Sequence, residues 1–88
     1  MSEAKTTPPK LQDDPQATDI YATAASGFFN ASGTISITLE ALRADHSKSP
    51  APVNRVVVGR LVMPANGAQA LAVGLFDFLE KQGFSFKK

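Results

Sequence analysis

The chain has no cysteine and no tryptophan, and His46 is its only histidine. Without cysteine there is no disulfide, and one histidine cannot build a Cys/His zinc cluster. Neither sign of charge dominates: nine Lys and Arg stand against eight Asp and Glu, a net charge of +1. That balance raises no field to draw in DNA, RNA or an anionic lipid surface. No apolar run reaches the roughly 18 residues of a membrane helix. The N-terminus lacks the apolar stretch of a secretory signal. A chain without cysteine fits a cytoplasmic setting, which is the expectation. The glycines form neither GxxxxGK[ST] nor GxGxxG, the spacings that cradle phosphate. No cofactor and no metal are expected.

Core-forming residues are also short. Residues 1–18 are polar, include Pro8, Pro9 and Pro15, and hold Leu11 as their one large aliphatic residue after Met1. Such a segment cannot bury enough apolar surface to offset its ordering entropy, so a disordered tail is expected there. The remaining residues, 19–88, form a single domain in this reading. A core of about 70 residues is marginal without a staple. With disulfides and zinc excluded, oligomerisation is the staple left.

What the chain does have is strand pattern. Ile35, Ile37, Leu39 and Ala41 alternate with Thr34, Ser36, Thr38 and Glu40, the period of a half-buried strand over 34–42. Residues 19–29 carry Ile20, Tyr21, Thr23, Phe28 and Phe29 and suit a first strand. Ala22, Ala24 and Ala25 keep a helix starting at Asp19 open as the rival. Asn30-Ala31-Ser32-Gly33 between them suits a type I turn, with Gly33 in a left-handed bulge position. A third strand is expected over 55–63, ended by Pro64. Strict alternation puts Val57, Gly59, Leu61 and Met63 on one face and Val56, Val58, Arg60 and Val62 on the other. Residues 44–54 form the polar connection, longer than most hairpin loops, and long loops are often mobile or functional.

Asn66 followed by Gln69 has the spacing of a capping box, predicting a helix over 67–82. Ala68, Leu71, Leu75, Phe78 and Leu79 fall on one face of it. Gly83 suits the left-handed residue beyond the helix, with Phe84 packing back as in a Schellman motif. Phe84 and Phe86, alternating with Ser85, suggest a short extended tail. The whole reads as α+β: a three-stranded antiparallel sheet followed by one C-terminal helix.

One helix covers one face of a small sheet. The apolar second face therefore calls for another cover, most simply a second copy. Val56, Val58, Arg60, Val62 and Phe29 are the candidate interface residues. The expected partner is the chain itself, as a homodimer or a larger even-numbered closed oligomer, with a further protein partner left open. Arg60 interrupts its apolar face. Either its stem packs while its head reaches water, or its planar fork meets a carboxylate such as Glu40 across a subunit boundary, or an anionic ligand.

Catalytic sets are hard to assemble. His46 stands beside Asp45, Ser47 and Ser49 in a loop, whereas a nucleophilic triad needs a rigid scaffold. Asp13-Asp14 lies in the tail, and Asp77 and Glu80 fall on the helix's polar side. The chain reads as a non-enzymatic interaction or assembly module. A small dimeric nucleic-acid-binding regulator is the alternative, since β-rich dimers can place a ribbon in a DNA groove. An enzyme with an inter-subunit site using Arg60 and His46 is the third.

Ile20-Tyr21-Ala22-Thr23, Arg60-Leu61-Val62-Met63-Pro64 and the helix over 68–79 together resemble a small bacterial family known only as a domain of unknown function. Its members read Tyr-Ala-Asn near the first strand, then an Arg-Ile-Val-x-Ser-Pro-type strand end and an amphipathic C-terminal helix. The resemblance spans residues 20–82. Thr23 stands where the family often has Asn, and Met63 where it has Ser. It implies a strand-strand-strand-helix order and no activity.

Overall fold

The computed structural model describes residues 8–85. The chain runs β1 (Ala24–Ala31), β2 (Thr34–Ala44), β3 (Val53–Pro64) and α1 (Ala65–Lys81). The strands form one antiparallel meander in the order β1-β2-β3. The fold is α+β, a three-stranded antiparallel sheet followed by a C-terminal helix.

The central strand is the regular one. Its register sets Phe28, Ile37 and Leu61 side by side, with Asn30, Ile35 and Met63 in the row two residues along. Both outer strands slip by one residue, on either side of Leu39. On β1 the register jumps from Ala25 to Gly27, leaving Ser26 over, and on β3 it jumps between Gly59 and Val57, leaving Val58 over. Ser26 stands beside Thr38–Leu39 of β2 and Val58 beside Leu39–Glu40. A bulge inserts a residue and reverses the sense of alternation beyond it. The simple two-face split of β3 therefore fails. Val57 opposes Glu40, on the side of Thr38 and Arg60, and Val56 opposes Ala41, on the side of Leu39 and Leu61.

The first hairpin is tighter than expected. Ala31 pairs with Thr34, so the loop is Ser32-Gly33 alone, with φ of 52° and 85°. Two successive positive φ values make a type I′ turn, whose twist matches that of the strands. Asn30 Oδ1 accepts a hydrogen bond from the Gly33 N–H at 2.9 Å.

Residues 24–31 are strand, not helix, but β1 begins five residues later than Asp19. Before it, the Thr23 N–H donates to the Glu40 carbonyl at 2.8 Å. Ile20 leaves the ladder to lie against Gly59, its Cδ1 3.6 Å from where a glycine Cβ would stand. Residues 8–19 are exposed, and among the described residues their hydrogen bonds are local ones around Asp14.

The helix starts two residues before the expected position. Pro64 is the N-cap residue at φ −65° and ψ 159°, and no side chain caps the helix. Asn66 is inside the first turn rather than at its cap. A carbonyl of the first hairpin takes over part of the capping, since the Ala65 N–H donates to the Gly33 carbonyl at 2.9 Å. The far end is as expected. Gly83, at φ 96°, donates to the Glu80 carbonyl at 3.0 Å, and Phe84 donates to Leu79 at 3.0 Å. These are the two bonds of a Schellman motif. Phe84 is exposed, and Phe86 lies outside the described residues.

Candidate functional site

Ala41 is the only buried hydrophobic residue among those described, and no residue of α1 is buried. The helix leaves the end of β3 with its first turn near Met63, where Gly67 is in van der Waals range. Between helix and sheet lies an open wedge of about 350 Å³. β1 contributes Ala25 and Phe28, β2 Ile37 and Leu39, β3 Leu61, and the helix Ala68, Leu71, Ala72 and Leu75. Every lining residue is apolar. Of the helical stripe expected to pack on the sheet, Ala68, Leu71 and Leu75 line the wedge while Phe78 and Leu79 do not, and Leu71 is 41% and Leu75 51% exposed.

The opposite, open face has a different character. Its rows run Phe29–Ser36–Val62 and Gly27–Thr38–Arg60, then Glu40 with Val57, then Leu42 with Arg55. Phe29, Arg60 and Val62 from the candidate interface therefore share this face. Val56 is turned to the helix side by the bulge, and Val58 is the unpaired extra residue, partly buried.

Glu40 anchors the open face, buried at mid-sheet. Its partner within the chain is Arg55. Arg55 Nε donates to both carboxylate oxygens at 2.9 Å, and its NH2 nitrogen lies 2.7 Å from Oε1. This hydrogen bonding lowers the Glu40 pKa from the usual carboxylate range, against the opposing pull of desolvation; the charge of Arg55 and the Ser26 hydroxyl lower it further. The same pairing raises the pKa of Arg55. Position along the strands explains the choice. Arg55 opposes Leu42, two residues beyond Glu40 on the same face, and its long fork reaches back diagonally.

The 45–52 loop is locally organised. Asp45 Oδ1 accepts bonds from the Ser47 N–H at 3.0 Å and the Ser47 hydroxyl at 2.6 Å, an Asx-turn. The Ser47 hydroxyl bond is the main cause lowering the Asp45 pKa. The Asp45 N–H closes the loop onto the Pro52 carbonyl at 2.8 Å. Asp45 thus spends its carboxylate on Ser47, and His46 is exposed. Within one chain, Arg60 opposes Thr38. His46 follows the far end of β2, about 20 Å further along at some 3.3 Å per residue.

Among the described residues no group of His, Cys, Asp and Glu could hold a metal ion, and no helix is long and apolar enough to cross a membrane. No family model, curated protein or solved structure matches the chain.

Proposed function

We propose that the chain is a non-enzymatic assembly module whose working form is a homo-oligomer, a homodimer or a larger even-numbered closed assembly. The observation that carries this reading is the near-absence of a core: Ala41 alone is a buried hydrophobic residue among those described, while Phe28, Phe29, Val62, Leu71 and Leu75 are exposed. Fully burying one large apolar side chain is worth about 1.5–3 kcal/mol. A domain whose whole stability is about 5–15 kcal/mol does not forgo several such terms without another means of covering them. Closed two-fold association is the commonest cover. A cytoplasmic setting fits a chain without cysteine, and kinship with the family of unknown function belongs to the same proposal.

Sedimentation of the full chain over a concentration series tests the reading. A dimer or higher even-numbered species at micromolar concentration is expected. A stable, soluble monomer throughout the series overturns it. Strong salt-dependent binding to DNA would instead move the chain to the nucleic-acid-binding class.

A further inference from the structure

We propose that Asn66-Gly67, in the first turn of α1, is a self-modification site where Asn66 converts to aspartate and isoaspartate without an enzyme. The proposal does not rest on the homo-oligomer reading.

The chemistry needs only water. The Gly67 amide nitrogen, its proton lost to solvent, attacks Cγ of Asn66. The N–Cγ bond forms, the Cγ–Nδ2 bond breaks, and ammonia leaves with a proton from water. Water then opens the cyclic imide at either carbonyl. One opening restores the main chain with aspartate at position 66. The other routes the main chain through the side chain as isoaspartate. Nothing is oxidised or reduced.

Sequence and structure single out this asparagine among three. Asn30 precedes Ala31 and Asn54 precedes Arg55, so a Cβ crowds the attacking nitrogen at both; Asn66 alone precedes glycine. Asn30 and Asn54 also lie in the ladder, opposite Ile35 and Arg43, and Asn30 Oδ1 is occupied by the Gly33 N–H. Asn66 is exposed, and no side chain caps its helix.

Ring closure eclipses the Asn66 Cβ with the Gly67 nitrogen, which a helical ψ of about −42° does not allow. The first turn must therefore unwind, and here little resists it. The Gly67 N–H is one of the first four donors of the helix, which have no intrahelical acceptor. Glycine is the poorest helix former after proline. The tie to the sheet, from the Ala65 N–H to the Gly33 carbonyl, precedes Asn66 and leaves the Asn66–Gly67 peptide free to rotate. Helix ends of this kind open at the low end of the stability range.

The two products act in opposite directions. Aspartate places a carboxylate in a first turn that has no acid, where the helix dipole favours it. Isoaspartate lengthens the main chain by one methylene and breaks the register of the helical ladder, so the first turn is lost. The set of α1 against the sheet thus changes with the age of the molecule.

The full chain is incubated in warm, neutral buffer, folded and in urea, and followed by peptide mapping and ammonia release. Position 66 should convert in the folded chain within about tenfold of its rate in urea, with Asn30 and Asn54 intact. Gly67→Ala should slow conversion more than tenfold while keeping native circular dichroism, since the added Cβ meets Met63 and Pro64 only at 3.8 Å. Asn66→Ala should release no ammonia from this peptide. After separation by charge and retention, the isoaspartyl chain should show less helix than the aspartyl chain. Folded-state conversion slower than in urea by more than tenfold overturns the proposal, as does equal conversion at Asn30 or Asn54. An isoaspartyl chain as helical as the unmodified protein overturns its structural consequence.

Discussion

Leu75→Ala separates a helix held by its own sheet from one held by a second copy. Leu75 lines the wedge and is 51% exposed in the single chain. Full burial of a leucine is worth about 1.5–3 kcal/mol, so half-burial accounts for roughly 1 kcal/mol. In a single chain the substitution should cost about that much. Covered by a partner helix, Leu75 becomes a fully buried residue, and its truncation leaves a cavity as well; such changes cost about 2–5 kcal/mol. The two cases differ again in their dependence on concentration, because the stability of an obligate dimer is inseparable from protomer concentration. Urea melts of wild type and Leu75→Ala at two chain concentrations a hundredfold apart, roughly 1 and 100 μM, give both quantities; a hundredfold change is worth about 2.7 kcal/mol of linkage. The expected result is a loss above about 2 kcal/mol per chain, with both proteins melting later at the higher concentration. A loss near 1 kcal/mol, with midpoints that do not move with concentration, would refute the reasoning.

Asn66→Ala should change stability by less than about 0.5 kcal/mol in denaturant melts, because Asn66 makes no cap and alanine is the better helix former; a loss of 1 kcal/mol or more would restore Asn66 as the cap. The Glu40 pKa is lowered in the folded chain by Arg55. Its contribution to stability is therefore complete above the unfolded carboxylate value of about 4.3 and is lost as pH falls through the lower folded value. Melts from pH 7 down to about 2 should show this acid loss in wild type, with a smaller slope in Glu40→Gln; identical slopes would contradict it. Deleting residues 1–18 should leave the melting temperature within about 5 °C, equivalent to roughly 1 kcal/mol for a domain of this size, since residues 8–18 make only local hydrogen bonds among the described residues.

The order of elements was legible because each carries its own local pattern. Ile35, Ile37, Leu39 and Ala41 define the central strand, and Gly83-Phe84 fixes the helix end through two backbone bonds that need only local sequence. The errors arose where tertiary contacts replaced local ones. The capping box at Asn66 was a sound local rule, but the Gly33 carbonyl of the first hairpin met the Ala65 donor and Pro64 became the boundary. Alternation along β3 assigned Val56 and Val57 to the wrong sides because it assumed an unbroken ladder. The available signal was glycine inside a strand, which often marks a bulge. Gly27 and Gly59 each directly follow an extra residue. For the candidate site, apolar side chains on more faces than one helix covers could be read from the strand pattern. The wedge could not, since it depends on the angle at which the helix leaves the sheet.

That angle is set without a linker. β3 ends at Pro64 and α1 begins at Ala65, so strand and helix share one peptide junction. The rotational phase of the helix is consequently geared to the pleat of β3. Each residue added to a helix turns it by about 100° and advances it by about 1.5 Å. One residue inserted after Pro64 would turn Leu75 off the wedge and set Gly67, Ala70, Leu71 and Gly74 where Ala68, Leu71, Ala72 and Leu75 now stand, stripping that wall of most of its side-chain bulk. The junction acts as a keyed shaft, and length changes that the 45–52 loop can absorb are barred at this single joint.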